Sequence, residues 1–139
     1  MDLRMPNDKI FDILLKMAET VEPVASARLT AAIVIRNRII SFGTNRRKSH
    51  PFQKKYGKNV DAIYLHAEID AIKNALRTIN SDELSKATLY VARVKKGLKR
   101  NFVSGLARPC QNGCCNAIAA FNIKNVFYTT NEQGVYQCL

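Results

Sequence analysis

The segment Leu29–Ile35 restricts this chain more than any other. Its residues, Leu-Thr-Ala-Ala-Ile-Val-Ile, carry no charge and are rich in β-branched side chains. Such side chains lose rotamer freedom in a helix but pack well on a pleated surface, so the run predicts a buried strand. The polar residues Arg36-Asn37-Arg38 follow, and Ile39–Phe42 then turns apolar again. Two short apolar runs around a polar turn predict a hairpin.

The flanking segments alternate with helical periodicity. Asn7 or Asp8 can cap a helix whose apolar stripe is Ile10, Phe11, Ile13, Leu14 and Met17, with Pro23 marking its end. A second helix is expected from Tyr64 to Ile79, burying Ala67, Ala71, Ile72, Ala75, Leu76 and Ile79. Ala87–Val94 reads as a third strand. Pro109–Cys115 leads into a third helix ending near Phe121, and Asn125–Thr130 reads as a fourth strand. The turn Asn131–Gly134 is too short for a helical crossover, so Val135–Leu139 is expected to return as an antiparallel fifth strand. The order predicts an α/β fold, one mixed sheet of about five strands covered by about three helices. With 139 residues and no repeat or linker, residues 1–139 are expected to form a single domain.

Composition removes several classes. At 47% hydrophobic and 24% charged residues, the chain is not a disordered polymer. It has no long uncharged apolar run to span a membrane, and Met1–Pro6 lacks the features of a secretory signal. A cytoplasmic protein with no membrane partner is expected. The net charge is +11, from 22 Lys+Arg against 11 Asp+Glu, which favours anionic partners unless it is only a solvated surface.

Chemistry concentrates in two segments. One is His66-Ala67-Glu68, at the start of the second helix. The other is Pro109-Cys110-Gln111-Asn112-Gly113-Cys114-Cys115, before the third. Three of the four cysteines lie in this second segment, a clustering that suggests metal or catalysis more than a disulfide framework. Imidazole with two thiolates is a zinc ligand set, and three protein ligands leave a fourth position open for catalysis. Zinc there would lower the pKa of bound water to about 7. Glu68, two residues from His66, is placed to move protons.

These segments resemble the signature of the cytidine and deoxycytidylate deaminase superfamily, H-x-E followed by P-C-x-x-C. The resemblance runs from the hairpin near Leu29 to the strand near Thr130. It implies a three-layer deaminase fold and a zinc-dependent hydrolase. His66 and Cys110 would be zinc ligands, and Glu68 the catalytic acid and base. The spacing departs from the usual one. Three residues separate Cys110 from Cys114, with Gly113 able to absorb the extra residue. Cys114 is expected as the third ligand, with Cys115 as the alternative. In a purely structural zinc site, Cys115 or His50 would instead complete four protein ligands.

The resemblance also implies substrate contacts. Asn45 would touch the substrate sugar, or else be an ordinary loop residue. The Ala67 backbone N–H would meet the base carbonyl, and the backbone carbonyl of Arg108 or Pro109 would accept from the leaving amino group. Two basic stretches, Arg46–Lys58 and Arg93–Arg100, are read as loops approaching the site. They supply Arg46, Arg47, Lys48, Lys54, Lys55, Lys95 and Lys96 as phosphate or nucleic-acid contacts. The expected activity is deamination of cytosine to uracil in a cytidine or deoxycytidine nucleotide. One alternative is a deaminase of single-stranded DNA or RNA, with Phe52, Tyr56 and Phe102 stacking bases between the cations. Another is a non-catalytic zinc module that binds nucleic acid. A homo-oligomer is expected by resemblance.

Overall fold

The computed structural model describes residues 6–23, 27–46, 66–99, 101–110 and 114–139, and in it the uncharged run becomes β1, Arg28–Ile35. β1 pairs antiparallel on both sides, with β2 (Arg38–Thr44) and with β3 (Thr88–Lys96). The turn between β1 and β2 is tighter than the three polar residues suggest. Only Arg36 and Asn37 lie outside the strands, both with positive φ (52° and 61°). That conformation matches the twist of a two-residue hairpin.

The mixed sheet runs β2-β1-β3-β5-β6, where β5 is Asn125–Thr129 and β6 is Tyr136–Cys138. β3 and β5 are parallel, and β6 returns antiparallel to β5 as expected. A sixth strand, β4 (Phe102–Gly105), pairs antiparallel with the end of β3. This corrects the reading of Arg93–Arg100 as a loop. Arg93, Lys95 and Lys96 belong to β3, whose backbone hydrogen bonds with β4 override the lysine-rich composition.

Helix α1, Asp8–Thr20, is capped by the Asn7 side chain and covers one face of the sheet. Phe11 stacks on Tyr136 (centroids 3.9 Å apart) and meets Tyr90 edge-on at 5.1 Å. Ile10, Leu14, Ala32, Val34, Ala92 and Phe127 complete this layer. The other face packs Ala31, Ile33, Leu89, Val91, Val126 and Tyr128 against α2 (Ala67–Ala75) and α4 (Cys114–Ala120). Three layers result, because the central strands are apolar on both faces and each face needs cover. A fourth, one-turn helix, α3 (Ser81–Leu84), was not anticipated. It is opened by a reciprocal capping box between Asn80 and Glu83. α2 ends at Ala75, short of the expected Ile79. No described helix is long and apolar enough to cross a membrane.

Candidate metal centre and active site

β2 determines where α2 begins. Gly43 lies so close to the helix that a Cβ there would sit 2.2 Å from the Ala67 carbonyl oxygen and 2.3 Å from the Ala71 nitrogen. Only hydrogen fits, so strand and helix backbones touch. Three polar links fasten this contact. Ser41 Oγ donates to the Ala71 carbonyl at 2.7 Å, and Asn74 Nδ2 donates to the Phe42 carbonyl at 2.8 Å. The Thr44 N–H donates to Asp70 Oδ2 at 3.0 Å. Asp70 is 1% exposed, with Lys73 Nζ 3.1 Å from Oδ1 and Arg46 3.8 Å from Oδ2. The buried carboxylate is held by a backbone N–H at Oδ2 and by two cations, although Oδ1 meets Lys73 only as an ion pair and accepts no hydrogen bond among the described residues. Sequence reasoning assigned Asp70 no role. The only signal was its position two residues after Glu68.

With α2 so held, His66 occupies its N-cap and Glu68 its first turn. The second segment is anchored separately. The Ala107 N–H donates to the Thr129 carbonyl at 3.0 Å, and the Leu106 N–H to Asn131 Oδ1 at 3.1 Å. These bonds tie the approach to Cys110 to the end of β5. The site therefore lies beyond the carboxyl ends of the parallel strands β3 and β5, where open α/β sheets usually bind ligands.

There, donor atoms from His66, Cys110 and Cys114 lie within 4.8 Å of one another. His66 Nδ1 is 3.7 Å from Cys110 Sγ and 3.4 Å from Cys114 Sγ. A tetrahedral zinc ion would set such nitrogen–sulfur pairs about 3.5 Å apart, given its bond lengths. The donor set therefore fits zinc in both type and spacing. Cys115 is turned away, its thiol directed at the Pro109 carbonyl at 3.7 Å.

The thiols are already paired electrostatically. Cys110 is held down to about 4, first by the hydrogen bond from the Cys114 thiol, with further help from His66 and the Cys114 N–H at 3.2 Å. Cys114 is pushed well up, because it carries the shared proton and is buried. Two sulfurs sharing one proton form a site that a divalent cation completes by displacing that proton. Glu68 is 4% exposed, and burial pushes its carboxyl above the ordinary carboxylate range, with His66 opposing the shift. A carboxyl poised in this way exchanges protons more readily near neutral pH.

The remaining predicted residues divide. Asn45 Oδ1 accepts from the Leu29 N–H at 3.0 Å and its Nδ2 donates to the Ala27 carbonyl at 2.9 Å, bracing the start of β1. Ala67 begins α2, and His66 provides no side-chain cap to the first-turn N–H groups. Arg108 is exposed and Pro109 buried, directly before Cys110. Arg46 reaches toward Asp70, and Lys95 Nζ donates to Asn131 Oδ1 at 3.0 Å. By strand alternation Lys96 lies on the opposite face of β3 from Lys95. Arg47, Lys48, His50, Lys54 and Lys55 lie outside the described residues.

The family model for the cytidine and deoxycytidylate deaminase zinc-binding region matches residues 5–130. No curated protein sequence matches. Among solved structures, the chain is similar to the dCMP deaminase of cyanophage S-TIM5. For the apo form, identity is 20% and the TM-score 0.55, covering 88% of this chain and 84% of that one. For the same enzyme in complex with dCMP and dUMP, identity is 18% and the TM-score 0.51, covering 89% and 83%. At these identities the likeness establishes the fold.

Proposed function

Because the chain belongs to the cytidine and deoxycytidylate deaminase family, we propose that it hydrolytically deaminates the cytosine of a cytidine or deoxycytidine nucleotide. The observation that carries this reading is the cluster of His66, Cys110 and Cys114 donor atoms within 4.8 Å, beside the buried Glu68. In this reading those three side chains hold zinc, and residues 1–139 work as one cytoplasmic domain. Zinc bound there supplies a Lewis acid that brings the pKa of water down to about 7.

The chain's own residues supply the rest. Glu68 takes a proton from the attacking water and passes protons to the ring nitrogen and the departing amino group. Water adds at C4, the C4–N bond breaks, and ammonia and the uracil product leave, so the reaction balances. The Ala67 N–H holds the base carbonyl, and the carbonyl at Arg108 or Pro109 receives the amino group. Asn45 has one amide hydrogen and one lone pair left for a sugar hydroxyl. Burial around Glu68 keeps bulk water from competing for the proton. A nucleotide substrate is supported by the phage enzyme of like fold, which was solved with dCMP and dUMP.

A second reading, deamination within a single strand, draws on the β3–β4 hairpin. Its tip exposes Leu98 fully between Lys96 and Lys99, a profile suited to a polyanion. The test is a deamination panel on zinc-loaded protein with cytidine, deoxycytidine, dCMP, dCTP and a single-stranded cytosine oligonucleotide. Turnover of a free nucleotide without the oligonucleotide supports the first reading. Turnover of the oligonucleotide alone supports the second, and no turnover refutes both.

A further inference from the structure

We propose that Arg93, lying across Gly105, is the residue that takes the phosphate monoester of the substrate. This deepens the nucleotide reading and rests on it. Arg93 is in β3 between Leu29 of β1 and Gly105 of β4, its cross-strand neighbours. Alternation along β3 puts it on the same face as Leu89 and Val91, which pack against α2 and α4, the helices that bear Glu68 and Cys114. It also sits at the carboxyl end of β3. There the Arg93 N–H donates to Thr129 Oγ1 at 3.1 Å, and Thr129 Oγ1 in turn donates to the Gly105 carbonyl at 2.7 Å. The Thr129 carbonyl anchors the segment leading to Cys110. Arg93 therefore shares both the face and the end of the sheet with the cysteine–histidine cluster.

Two features separate Arg93 from the other cations. The first is the cradle. A Cβ at position 105 would lie 3.1 Å from Arg93 Cγ, 3.2 Å from Cδ and 3.5 Å from Nε, so the side chain lies flat over the strand because residue 105 is glycine. The second is an unmet need. Arg93 Nε is buried and has no hydrogen-bond partner among the described residues. Described carboxylates do not pair with this guanidinium, whereas Arg46 and Lys73 both engage Asp70. Held against residue 105 with its Nε hydrogen unmatched, the guanidinium keeps the planar fork that matches the oxygens of a phosphate. Lys95, next on the same face, is already bonded to Asn131.

The experiment compares wild type, Arg93→Gln, Arg93→Lys and Gly105→Ala. The first readout is the ratio of kcat/KM for dCMP to that for deoxycytidine. The second, which needs no turnover, is calorimetric binding of dUMP against deoxyuridine. In Arg93→Gln the substrate ratio is expected to fall about 10- to 100-fold, the size of a charge-assisted hydrogen bond. The preference for dUMP should fall in parallel. Arg93→Lys should recover part of the loss, and Gly105→Ala should show a smaller loss of the same kind. Equal effects on the phosphorylated and unphosphorylated partners would overturn the proposal, as would no effect on either ratio. If wild type deaminates neither compound, the activity reading fails. Arg93-dependent dUMP preference would still uphold the phosphate site, and its absence would remove that as well.

Discussion

Gly43→Ala isolates how strand β2 positions the helix that bears His66 and Glu68. The added Cβ would lie 2.2 Å from the Ala67 carbonyl oxygen, 2.3 Å from the Ala71 nitrogen and 2.9 Å from the Ala71 Cα. Ordinary contact begins near 3.4 Å, so the helix must retreat by about 1.2 Å. All three clashing atoms are backbone, so no rotamer change relieves them. Retreat also stretches the Ser41–Ala71, Asn74–Phe42 and Thr44–Asp70 hydrogen bonds. Overpacking a fitted contact costs about 1–3 kcal/mol, and the stretched bonds place this variant near the upper end, about 3 kcal/mol. His66 and Glu68 move with the helix, and a misplacement of about 1 Å costs roughly 100-fold in rate. Urea unfolding of the zinc-loaded protein measures the first effect and deamination rate the second. Gly97→Ala is the control, since its nearest clash, 2.9 Å, is with the Asn101 side chain, which can move. Adding Ala71→Gly should not rescue Gly43→Ala, because the opposing atoms remain. A Gly43→Ala protein within about 0.5 kcal/mol of wild type and fully active would refute this account of how the site is built.

Three further outcomes follow from the same geometry. Glu68→Gln should lower deamination by about 100- to 10,000-fold while zinc content stays unchanged, because in the proposed reading the carboxyl moves protons and holds no metal. Its folding stability should hold or rise, since a desolvated carboxyl has been replaced by a neutral amide. Elemental analysis should find zinc lost in Cys114→Ser and retained in Cys115→Ser, because of these two adjacent thiols Cys114 faces His66 and Cys115 the Pro109 carbonyl. In the metal-free protein, thiolate absorbance should persist as pH falls from neutrality and disappear through about 4, as Cys110 takes up its proton. Cys110→Ser should abolish that acidic titration. A first thiolate appearing only above pH 8 in the wild type would contradict the shared-proton arrangement.

Much of the fold is legible because its signals are local. The β-branched run at Leu29–Ile35 forms β1, and of the two cap candidates Asn7 and Asp8 it is Asn7 that caps α1. The capping pattern at Asn80 and Glu83 was equally local and could have revealed the one-turn helix. β4 was less accessible. Phe102–Gly105 follows a lysine-rich stretch, and its extended form depends on pairing with Arg93–Lys96. Strand stability of that kind belongs to the pair and not to the segment.

The sequence by itself determined the donor types of the candidate site, their order along the chain and the family. Imidazole, thiolate and carboxylate chemistry depends on residue identity and short spacing. Only the tertiary structure decided which sulfur faces His66, why residue 43 must be glycine and what Arg93 lies against. Cys114 and Cys115 are adjacent on a helix, about 100° apart around its axis, so local spacing favoured Cys114 but left Cys115 open. His66 is 44 residues from Cys110, and Arg93 meets Gly105 only across a strand pair. Such contacts are set where distant segments pack to close distances, so they appear once the sheet and its helices are assembled.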